Sequence, residues 1–431
     1  MLLFLIWYKI MDRFLLNSLI ELYLKGYGTM DKYLIINGGS SSLKFTLYEM
    51  PSEKRIVSGY FEKIGYKDSF WNIKIGDDKI SNHEYLRSHS DAVRIMLDEL
   101  IRNKIILSLD EIKGIGHRIL HGGELYSDSV LIDDKVLNDI ISLTNLGPLH
   151  HPGQIASIKA MLECLPGALQ VAVFDTAFHQ TMPKENYIYA VPYEWYSKYK
   201  VRKYGFHGIS HNYITDYMKK ELGYDNVNLI ICHVGSGVSV SCIKEGICYD
   251  TSMGLTPLDG VVMGTRSGSI DPSIIKFIVD ETGKSIDEVT NDLNKKSGLI
   301  GICGKNDFRD VLKLKADGDE QGILAYQMTI DSLIKYISNY YFKLEGNIDA
   351  IVFTASILEN SAIFREDIIN KLSKPMGIIL DKHENYLIGD DRGKVNGIIT
   401  GEDSKIPIYV VPTCEEVMIA RDSYKIIKEQ Q

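Results

Sequence analysis

Two segments of the chain have the same order of apolar and polar positions. Residues 33–36 are continuously apolar, a Gly/Ser turn follows, and apolar positions then alternate with other positions across 43–47. The same order returns later, with an apolar run at 229–232, a turn at 233–237 and an alternation across 238–242. A period of two on either side of a Gly/Ser turn predicts a strand, a tight turn and a second strand. The repetition predicts two copies of one unit.

Helical periodicity follows these segments. Ser90 is the expected N-cap of a helix with one apolar face, and apolar residues recur at helical spacing across 323–337. A strand is predicted at 351–353, and it runs into a strand-to-loop corner at 354–360. The last helix is expected to open at Thr413, because a glutamate three residues on completes a capping box. Strand clusters that alternate with helices favour an α/β fold.

Length and composition add a domain count and a compartment. A chain of 431 residues exceeds what one hydrophobic core usually supports, so two domains with a cleft between them are expected. The 45% hydrophobic and 24% charged content is typical of a globular protein, and no apolar stretch is long enough to cross a bilayer. A net charge of -9 argues against nucleic acid as a partner, so any phosphate site is local. The six cysteines form no C-x-x-C pair, which favours a reducing cytoplasm.

Residues 1–29 are interpreted separately. The apolar run at 2–8 has no preceding basic region and no cleavage site after it, so it does not fit a signal peptide. Apolar residues at helical spacing across 14–23 would suit a surface helix. Because Met30 immediately precedes the first predicted strand, our hypothesis is that residues 1–29 are a start-site artefact. The intact mass of the native protein tests it, and a mature chain beginning at Met1 would exclude it.

The two Gly/Ser turns have chemistry in common. A turn rich in Gly and Ser presents backbone N–H groups with no side chain in the way, and such groups bind the oxygens of a polyphosphate. The pairing predicts a nucleotide bound between duplicated lobes. The chain has neither the G-x-x-x-x-G-K-[ST] pattern of a Walker loop nor a G-x-G-x-x-G that opens a helix.

Eight motifs, in order along the chain, resemble those of the acetate kinases (acetokinase family). They are NGGSSSLK at Asn37, GHRILHGGE at Gly116, PLHHP at Pro148, VFDTAFHQTMP at Val173, RKYGFHGISH at Arg202, HVGSG at His233, DTSMGLTPLDGVVMGTRSGSIDP at Asp250 and PTCEE at Pro412. The match extends from about Met30 to the last helix. So many long motifs in the family's order are far more specific than any one of them.

The resemblance implies a fold, a reaction and partners. The fold is a duplicated actin-like (ribonuclease H-like) α/β ATPase fold, with 30–178 plus 411–431 as the N-terminal lobe and 179–410 as the nucleotide-binding lobe. The reaction is reversible phosphoryl transfer from ATP to acetate, giving acetyl phosphate and ADP. The implied cofactor is Mg²⁺, with Mn²⁺ as an alternative. A cytoplasmic homodimer is expected, without nucleic-acid or membrane partners.

The resemblance also assigns site residues. Acetate is ionised at neutral pH, so its attack needs no general base, and catalysis requires in-line positioning and charge neutralisation. The catalytic residues implied are Arg118, Asp175, His207 and Arg266. The acetate-binding residues implied are Arg118, Leu120, Leu149, His150, Phe206 and Pro257. Asn37 and Glu415 match metal positions. The nucleotide-binding residues implied are Lys44, His233, Val234, Gly235, Ser236, Gly237, Asp307, Phe308, Arg309, Ser356, Ile357, Leu358, Glu359 and Asn360.

Several of these positions also have a purely structural interpretation. Asp175 follows a strand, where aspartate often caps a turn, and Glu415 is favourable in the first turn of any helix. His150 suits a structural loop histidine almost equally well, and Lys44 points outward on a strand. Three further histidines, at positions 117, 121 and 211, are expected to satisfy local hydrogen bonds.

The chain departs from the family at two kinds of position. Ser356 and Leu358 replace glycines of the family's G-G-I-G-E-N corner, which leaves open a pyrophosphate-dependent enzyme or a non-catalytic sensor on the same fold. Leu120 stands where the family commonly has valine. One extra methylene is worth about 1 kcal/mol, so acetate is predicted to be preferred over propionate.

Overall fold

A computed structural model describes residues 30–389 and 393–430. The start-site hypothesis for residues 1–29 lies outside the described residues. By contact density the described chain divides into two units: the first holds residues 30–117, 156–171 and 420–430, and the second holds 118–155, 172–389 and 393–419. The lobe boundaries predicted above, 30–178 with 411–431 and 179–410, stay a prediction.

The secondary structure alternates strands and helices along the chain. The strands are β1 (Asp31–Gly38), β2 (Ser42–Met50), β3 (Lys54–Glu62), β4 (Phe70–Ile75), β5 (Asp78–His83), β6 (Ile112–Ile119), β7 (Val130–Leu131), β8 (Leu169–Phe174), β9 (Leu229–Val234), β10 (Val238–Lys244), β11 (Ile247–Thr251), β12 (Ala350–Thr354), β13 (Gly397–Ile398) and β14 (Ile408–Val410). The α-helices are α1 (His89–Arg102), α2 (Asp134–Ser142), α3 (His151–Cys164), α4 (Lys184–Tyr187), α5 (Tyr193–Tyr199), α6 (Gly208–Leu222), α7 (Ser273–Thr282), α8 (Ile286–Lys295), α9 (Gly298–Cys303), α10 (Phe308–Ala316), α11 (Glu320–Lys343), α12 (Ser356–Asn360), α13 (Ala362–Met376), α14 (Lys382–Leu387) and α15 (Glu415–Lys428). Short 3₁₀ turns cover Leu109–Glu111, Leu143–Leu146 and Ala177–Thr181.

Two sheets repeat the same strand order. One includes β3-β2-β1-β6-β8, and the other, within the second unit, includes β11-β10-β9-β12-β14. In one sheet β1 pairs antiparallel with β2 and parallel with β6, and in the other β9 pairs antiparallel with β10 and parallel with β12. This repeated order is the ribonuclease H-like arrangement, so the predicted duplicated α/β fold is confirmed.

The core of the second unit covers both faces of its sheet. Ile230 and Cys232 of β9 belong to an apolar cluster that also contains Leu333 of α11. The alternate residues Leu229 and Ile231 pack in another cluster with Ile214 of α6. A strand buried on both faces reads as a continuous apolar run, which is why residues 229–232 show no alternation.

Two local expectations need correction. The N-cap of α1 is Ser88, whose hydroxyl accepts from the amide of Asp91, whereas Ser90 donates to Glu163. The last helix begins at Glu415 rather than Thr413. The strand expected across 238–242 is present as β10, and every residue of that range is buried, serines included. Within the described residues, no helix combines the length and apolarity needed to cross a membrane.

Candidate active site

Arg118 and Asp175 form a two-pronged ion pair in the second unit. Arg118 lies near the end of β6 and Asp175 directly follows β8. The Nε and Nη2 atoms of Arg118 donate to Oδ1 and Oδ2 of Asp175 at 3.3 and 2.7 Å. The Nη1 atom also lies 3.5 Å from a carboxylate oxygen of Glu415. Asp175 therefore orients a guanidinium with its carboxylate, which favours the functional interpretation over a turn cap.

Burial sets the electrostatics of this pair. It raises the pKa of Asp175, with Glu415 adding to the rise and Arg118 opposing it. Burial acts to lower the pKa of Arg118, but Asp175 and Glu415 outweigh it, so the pKa of Arg118 is raised. The guanidinium thus stays charged in a site largely shielded from solvent.

His207 is positioned by the start of α6. It has a left-handed conformation (φ 57°) immediately before the helix. The Gly208 amide donates to the Asp175 carbonyl at 3.0 Å, and a Cβ on Gly208 would lie only 2.1 Å from that oxygen, so glycine is required there. The helix start is therefore fixed against the residue that orients Arg118.

The His207 ring has neighbours on two sides. Its Nδ1 lies 2.9 Å from the hydroxyl oxygen of Ser239, and it stacks on His233 with ring centroids 4.2 Å apart. Burial, then the charges of His233 and Arg118, hold the pKa of His207 well below its usual value. The imidazole is therefore neutral at physiological pH and can donate only one N–H.

Arg266 is the second guanidinium of the site. Its Nη1 contacts the carbonyl oxygen of Pro257 at 3.3 Å and the sulfur of Met263 at 3.7 Å. Within residues 30–389 and 393–430, no carboxylate lies in ion-pairing distance of it, and burial lowers its pKa. A Cβ on Gly237 would lie 3.0 Å from His207 Nε2 and 3.8 Å from Arg266 Nη1. Both donors therefore converge on the turn after β9, where an anion would be stabilised.

A cavity of about 750 Å³ adjoins this turn. Nine of the predicted nucleotide-binding residues line it: Val234, Gly235, Ser236, Asp307, Phe308, Arg309, Ser356, Ile357 and Asn360. It is lined entirely by residues of the second unit, and its size suits a small-molecule ligand. Sequence reasoning missed other lining residues, among them Asn306 and Ile363.

The two residues that replace family glycines after β12, Ser356 and Leu358, do not have the positive φ for which glycine is suited. The left-handed residue is Ala355, with φ 67° and ψ 162°, whereas Ser356 and Leu358 lie within α12. Ser356 lines the cavity, but Leu358 is fully buried in the apolar core. The Glu359 carboxylate accepts from the Thr413 amide at 3.1 Å. The leucine side chain therefore takes no cavity space.

The predicted acetate-pocket residues differ in exposure. Phe206 and Leu120 are buried, and Leu149 is 53% exposed. The carbonyl of Pro257 accepts from Arg266. His150 is partly buried, and burial followed by the charge of Arg266 lowers its pKa. Their shared role in binding acetate stays a prediction.

Of the remaining predicted residues, Asn37 and Lys44 lie in the first unit, and His233 and Gly237 lie in the second. In the first unit Asn37 and Lys44 face each other across the β1–β2 hairpin, and Lys44 is exposed. His233, in the second unit, bonds Ser210 through Nδ1 at 2.8 Å. The Gly235 amide donates to the Gly237 carbonyl at 3.0 Å, which closes the turn.

The local hydrogen bonds expected of three histidines are confirmed. His117 bonds Gln170, His121 accepts from the Gly123 amide, and His211 bonds Ser239. Ser239 also contacts His207 and was missed as a functional candidate. Its only signal in the sequence is a polar residue two positions after the glycine-rich turn.

A duplicated ribonuclease H-like fold with a glycine-rich turn, two arginines and a neutral histidine beside a cavity defines a phosphotransferase. The model of the family described as the acetokinase family matches residues 32–421. The chain belongs to the acetokinase family. It is thus an enzyme of the class that transfers a phosphoryl group to a carboxylate, as its motifs predicted.

Similar proteins that align with nearly the whole chain support the assignment to this family. The acetate kinase of Bacillus cytotoxicus is 48% identical over 400 residues, which are 92% of this chain and 99% of that protein. The acetate kinase of Phytoplasma australiense is 49% identical over 399 residues, with the same coverage. Among solved structures, an acetate kinase from Porphyromonas gingivalis has 38% identity and a TM-score of 0.86, and a propionate kinase from Francisella tularensis has 42% identity and the same TM-score. Each aligns with 92% of this chain and 100% of its own.

Proposed function

We propose that the protein transfers a phosphoryl group reversibly between ATP and acetate. The observation that carries this proposal is the convergence of His207 and Arg266, a guanidinium without a carboxylate partner in the described chain, on the Gly237 turn beside the cavity. Arg266 is partly buried, and taking a cation out of water without a counter-ion is costly. A transferring phosphoryl group or an acetate carboxylate supplies the missing negative charge.

The residues then have distinct roles in a direct in-line displacement. An oxygen of the acetate carboxylate attacks the γ-phosphorus while the bond from that phosphorus to the β,γ-bridging oxygen breaks and ADP leaves. No general base is needed, since acetate is already ionised. Arg266 and Arg118 neutralise charge on the acceptor and on the equatorial oxygens, and His207 donates a hydrogen bond to the phosphoryl in flight. Asp175 holds Arg118 in place and takes no proton.

The cavity supports ATP as the donor. It adjoins the turn that would hold the phosphates, and Asp307–Arg309 would lie beside the adenosine. A hydroxamate assay with acetate, run separately with ATP and pyrophosphate, distinguishes the two donors. Acetyl phosphate is expected with ATP. Product only with pyrophosphate would overturn the choice of donor, and no product with either would favour the sensor alternative.

A divalent metal is expected with a kinase, and we propose Mg²⁺. The described residues hold no group of three or more His, Cys, Asp or Glu side chains that could bind a metal by themselves. Mg²⁺ with a nucleotide usually takes only one or two carboxylates, with phosphates and waters completing its shell. Asp175 and Glu415 both contact Arg118 and so lie close to each other, and their carboxylates would supply the oxygen ligands of one ion. Asn37 remains a predicted contact, and Mg²⁺ would neutralise phosphate charge.

Glu415→Gln is expected to raise the Mg²⁺ concentration needed for half-maximal activity, whereas Glu416→Gln serves as the neighbouring control.

Propionate is the second candidate acceptor, because one structural relative is a propionate kinase. Leu120 is expected to favour acetate. Comparing kcat/KM for acetate, propionate and butyrate tests this preference, and a preference for butyrate would refute it. Leu120→Val is expected to raise the propionate-to-acetate ratio by about fourfold, from one methylene.

A cytoplasmic homodimer with the lobe boundaries given above completes the proposal. It is supported by the resemblance to the family rather than by a contact between chains. Sedimentation equilibrium of the purified protein measures its oligomeric state, and a monomer at micromolar concentration would contradict it.

A further inference from the structure

One buried hydroxyl lies between two histidines of the second unit. Ser239 is on β10 and is fully buried. Its Oγ lies 2.9 Å from Nδ1 of His207 and 2.7 Å from Nε2 of His211. His207 immediately precedes α6 and His211 lies in its first turn, so the start of the helix brings both rings to the same hydroxyl.

The number of protons limits how this bridge can be made. A serine hydroxyl has one proton to donate, and a neutral imidazole has one N–H. Burial lowers the pKa of both His207 and His211 well below the usual value, so both rings are neutral. Both contacts are hydrogen bonds only if the hydroxyl donates to one ring and accepts from the other. Two directions satisfy this condition.

The far nitrogen of His211 distinguishes the two directions. His211 Nδ1 is buried and has no hydrogen-bond partner within the described part of the chain. If Ser239 donated to His211 Nε2, the His211 proton would be on Nδ1, as a buried donor without an acceptor. Orphaned buried N–H groups are rare in native proteins, and unfilled acceptors are less so. The favoured direction is therefore from His211 Nε2–H to Ser239, and from the Ser239 O–H to His207 Nδ1.

That direction has a consequence at the phosphate turn. When His207 Nδ1 accepts a hydrogen bond, the ring proton is on Nε2. His207 Nε2 faces Gly237, where an added Cβ would lie 3.0 Å away, and Arg266 Nη1 faces the same point. A proton on Nε2 makes the ring a donor toward a phosphoryl oxygen, whereas the other tautomer would present a lone pair to it.

We infer that Ser239, with His211 behind it, is a positioning residue that holds His207 in the Nε2–H tautomer needed to donate to the transferring phosphoryl group. The inference rests on the proposed function for the identity of the acceptor. The tautomer itself does not depend on that function.

The first experiment measures the tautomer directly. Protein labelled with ¹⁵N-histidine is examined by long-range ¹H–¹⁵N NMR near pH 7.5, and the His207 signals are identified by their loss in His207→Ala. We expect a protonated Nε2 and a hydrogen-bonded, unprotonated Nδ1 in the wild-type protein. A protonated Nδ1 on His207 would overturn the inference, whatever the variants do.

The second experiment measures the effect on turnover. Ser239→Ala is expected to lower kcat about 10- to 100-fold, by analogy with the loss of groups that orient metal-binding histidines, with little change in KM. Ser241→Ala is the matched control, because Ser241 is also fully buried on β10 but its hydroxyl contacts Thr251 at 2.9 Å. Ser239→Thr, which keeps the hydroxyl, is expected to recover part of the lost kcat.

A double-mutant cycle separates positioning from a general structural effect. In a His207→Ala background, Ser239→Ala is expected to cause no further loss of kcat. An equal loss in both backgrounds, or an equal loss in the Ser241→Ala control, would overturn the inference. If the wild-type protein forms no acetyl phosphate, the proposed function fails while the NMR result still decides the tautomer.

Discussion

Two arginines of the site carry the same charge in opposite surroundings. Arg118 is held by Asp175 and lies beside Glu415, whereas Arg266 contacts only a carbonyl and a thioether among the described residues. A guanidinium already paired with carboxylates adds less net attraction for an incoming anion than an unpaired one. Arg266 therefore has the larger capacity to attract the phosphoryl group or acetate.

This difference leads to a prediction for Arg266. Arg266→Ala is expected to lower kcat/KM about 30- to 1000-fold, which corresponds to a loss of roughly 2–4 kcal/mol of transition-state stabilisation. Arg266→Lys is expected to recover only part, because an ammonium lacks the planar pair of donors. Thermal stability is expected to hold or rise, since a desolvated charge is removed. Steady-state kinetics measures kcat/KM, and calorimetry measures the thermal stability. Arg55→Ala, at an exposed position, is the control. Unchanged kinetics for Arg266→Ala would contradict the assignment of Arg266 to the site.

At the scale of elements, the corner between β12 and α12 contains a residue with a strained backbone conformation. Ala355 has φ 67° and ψ 162°, a combination that is essentially restricted to glycine. The helix that follows places Ser356 at the cavity and Leu358 in the core. Ala355, which lies between the strand and the helix, carries the conformational cost.

Ala355→Gly is therefore expected to stabilise the protein. Relief of the strained conformation, of order 1–3 kcal/mol, exceeds the 0.5–1 kcal/mol or so by which glycine favours the unfolded chain. The free energy of unfolding in urea is expected to rise by about 1 kcal/mol. The buried Ala350, at the start of the same strand, provides the control, because Ala350→Gly is expected to destabilise. A loss of stability in Ala355→Gly would show that its conformation carries no strain.

At the scale of the whole molecule, buried histidines are distributed over both units. Burial lowers the pKa of His117, His179 and His233 to about 4 and that of His121 to about 3. His117 is in the first unit and the other three are in the second. Acid should therefore destabilise the two units together.

The sign of this pH dependence follows from proton uptake. An unfolded histidine binds a proton near pH 6.5, whereas the folded ones do so only near pH 3–4, so the unfolded chain holds more protons in between. Stability is complete above about pH 6.5 and falls as the pH drops toward 4, by up to about 1.4 kcal/mol per pH unit for each group. Urea unfolding at pH 7.5 and 5.5 measures the fall. His117→Gln is expected to reduce it, and equal stability of the wild-type protein at both pH values would contradict the prediction.

The sequence alone determined the class of fold, the reaction family and nine of the residues that line the cavity. Periodicity of two and of 3.6 is local, so it predicted β9, β10 and α11, and the long motifs carried the assignment of Arg118, Asp175, His207 and Arg266. The tertiary structure alone decided which arginine has carboxylate partners, that Leu358 enters the core, and that Ser239 joins two histidines. These three features depend on contacts between residues more than twenty positions apart in the sequence, or on which face of an element is buried. No local pattern in the sequence specifies either. Burial, which sets the pKa values of the histidines, is likewise a property of the packed chain.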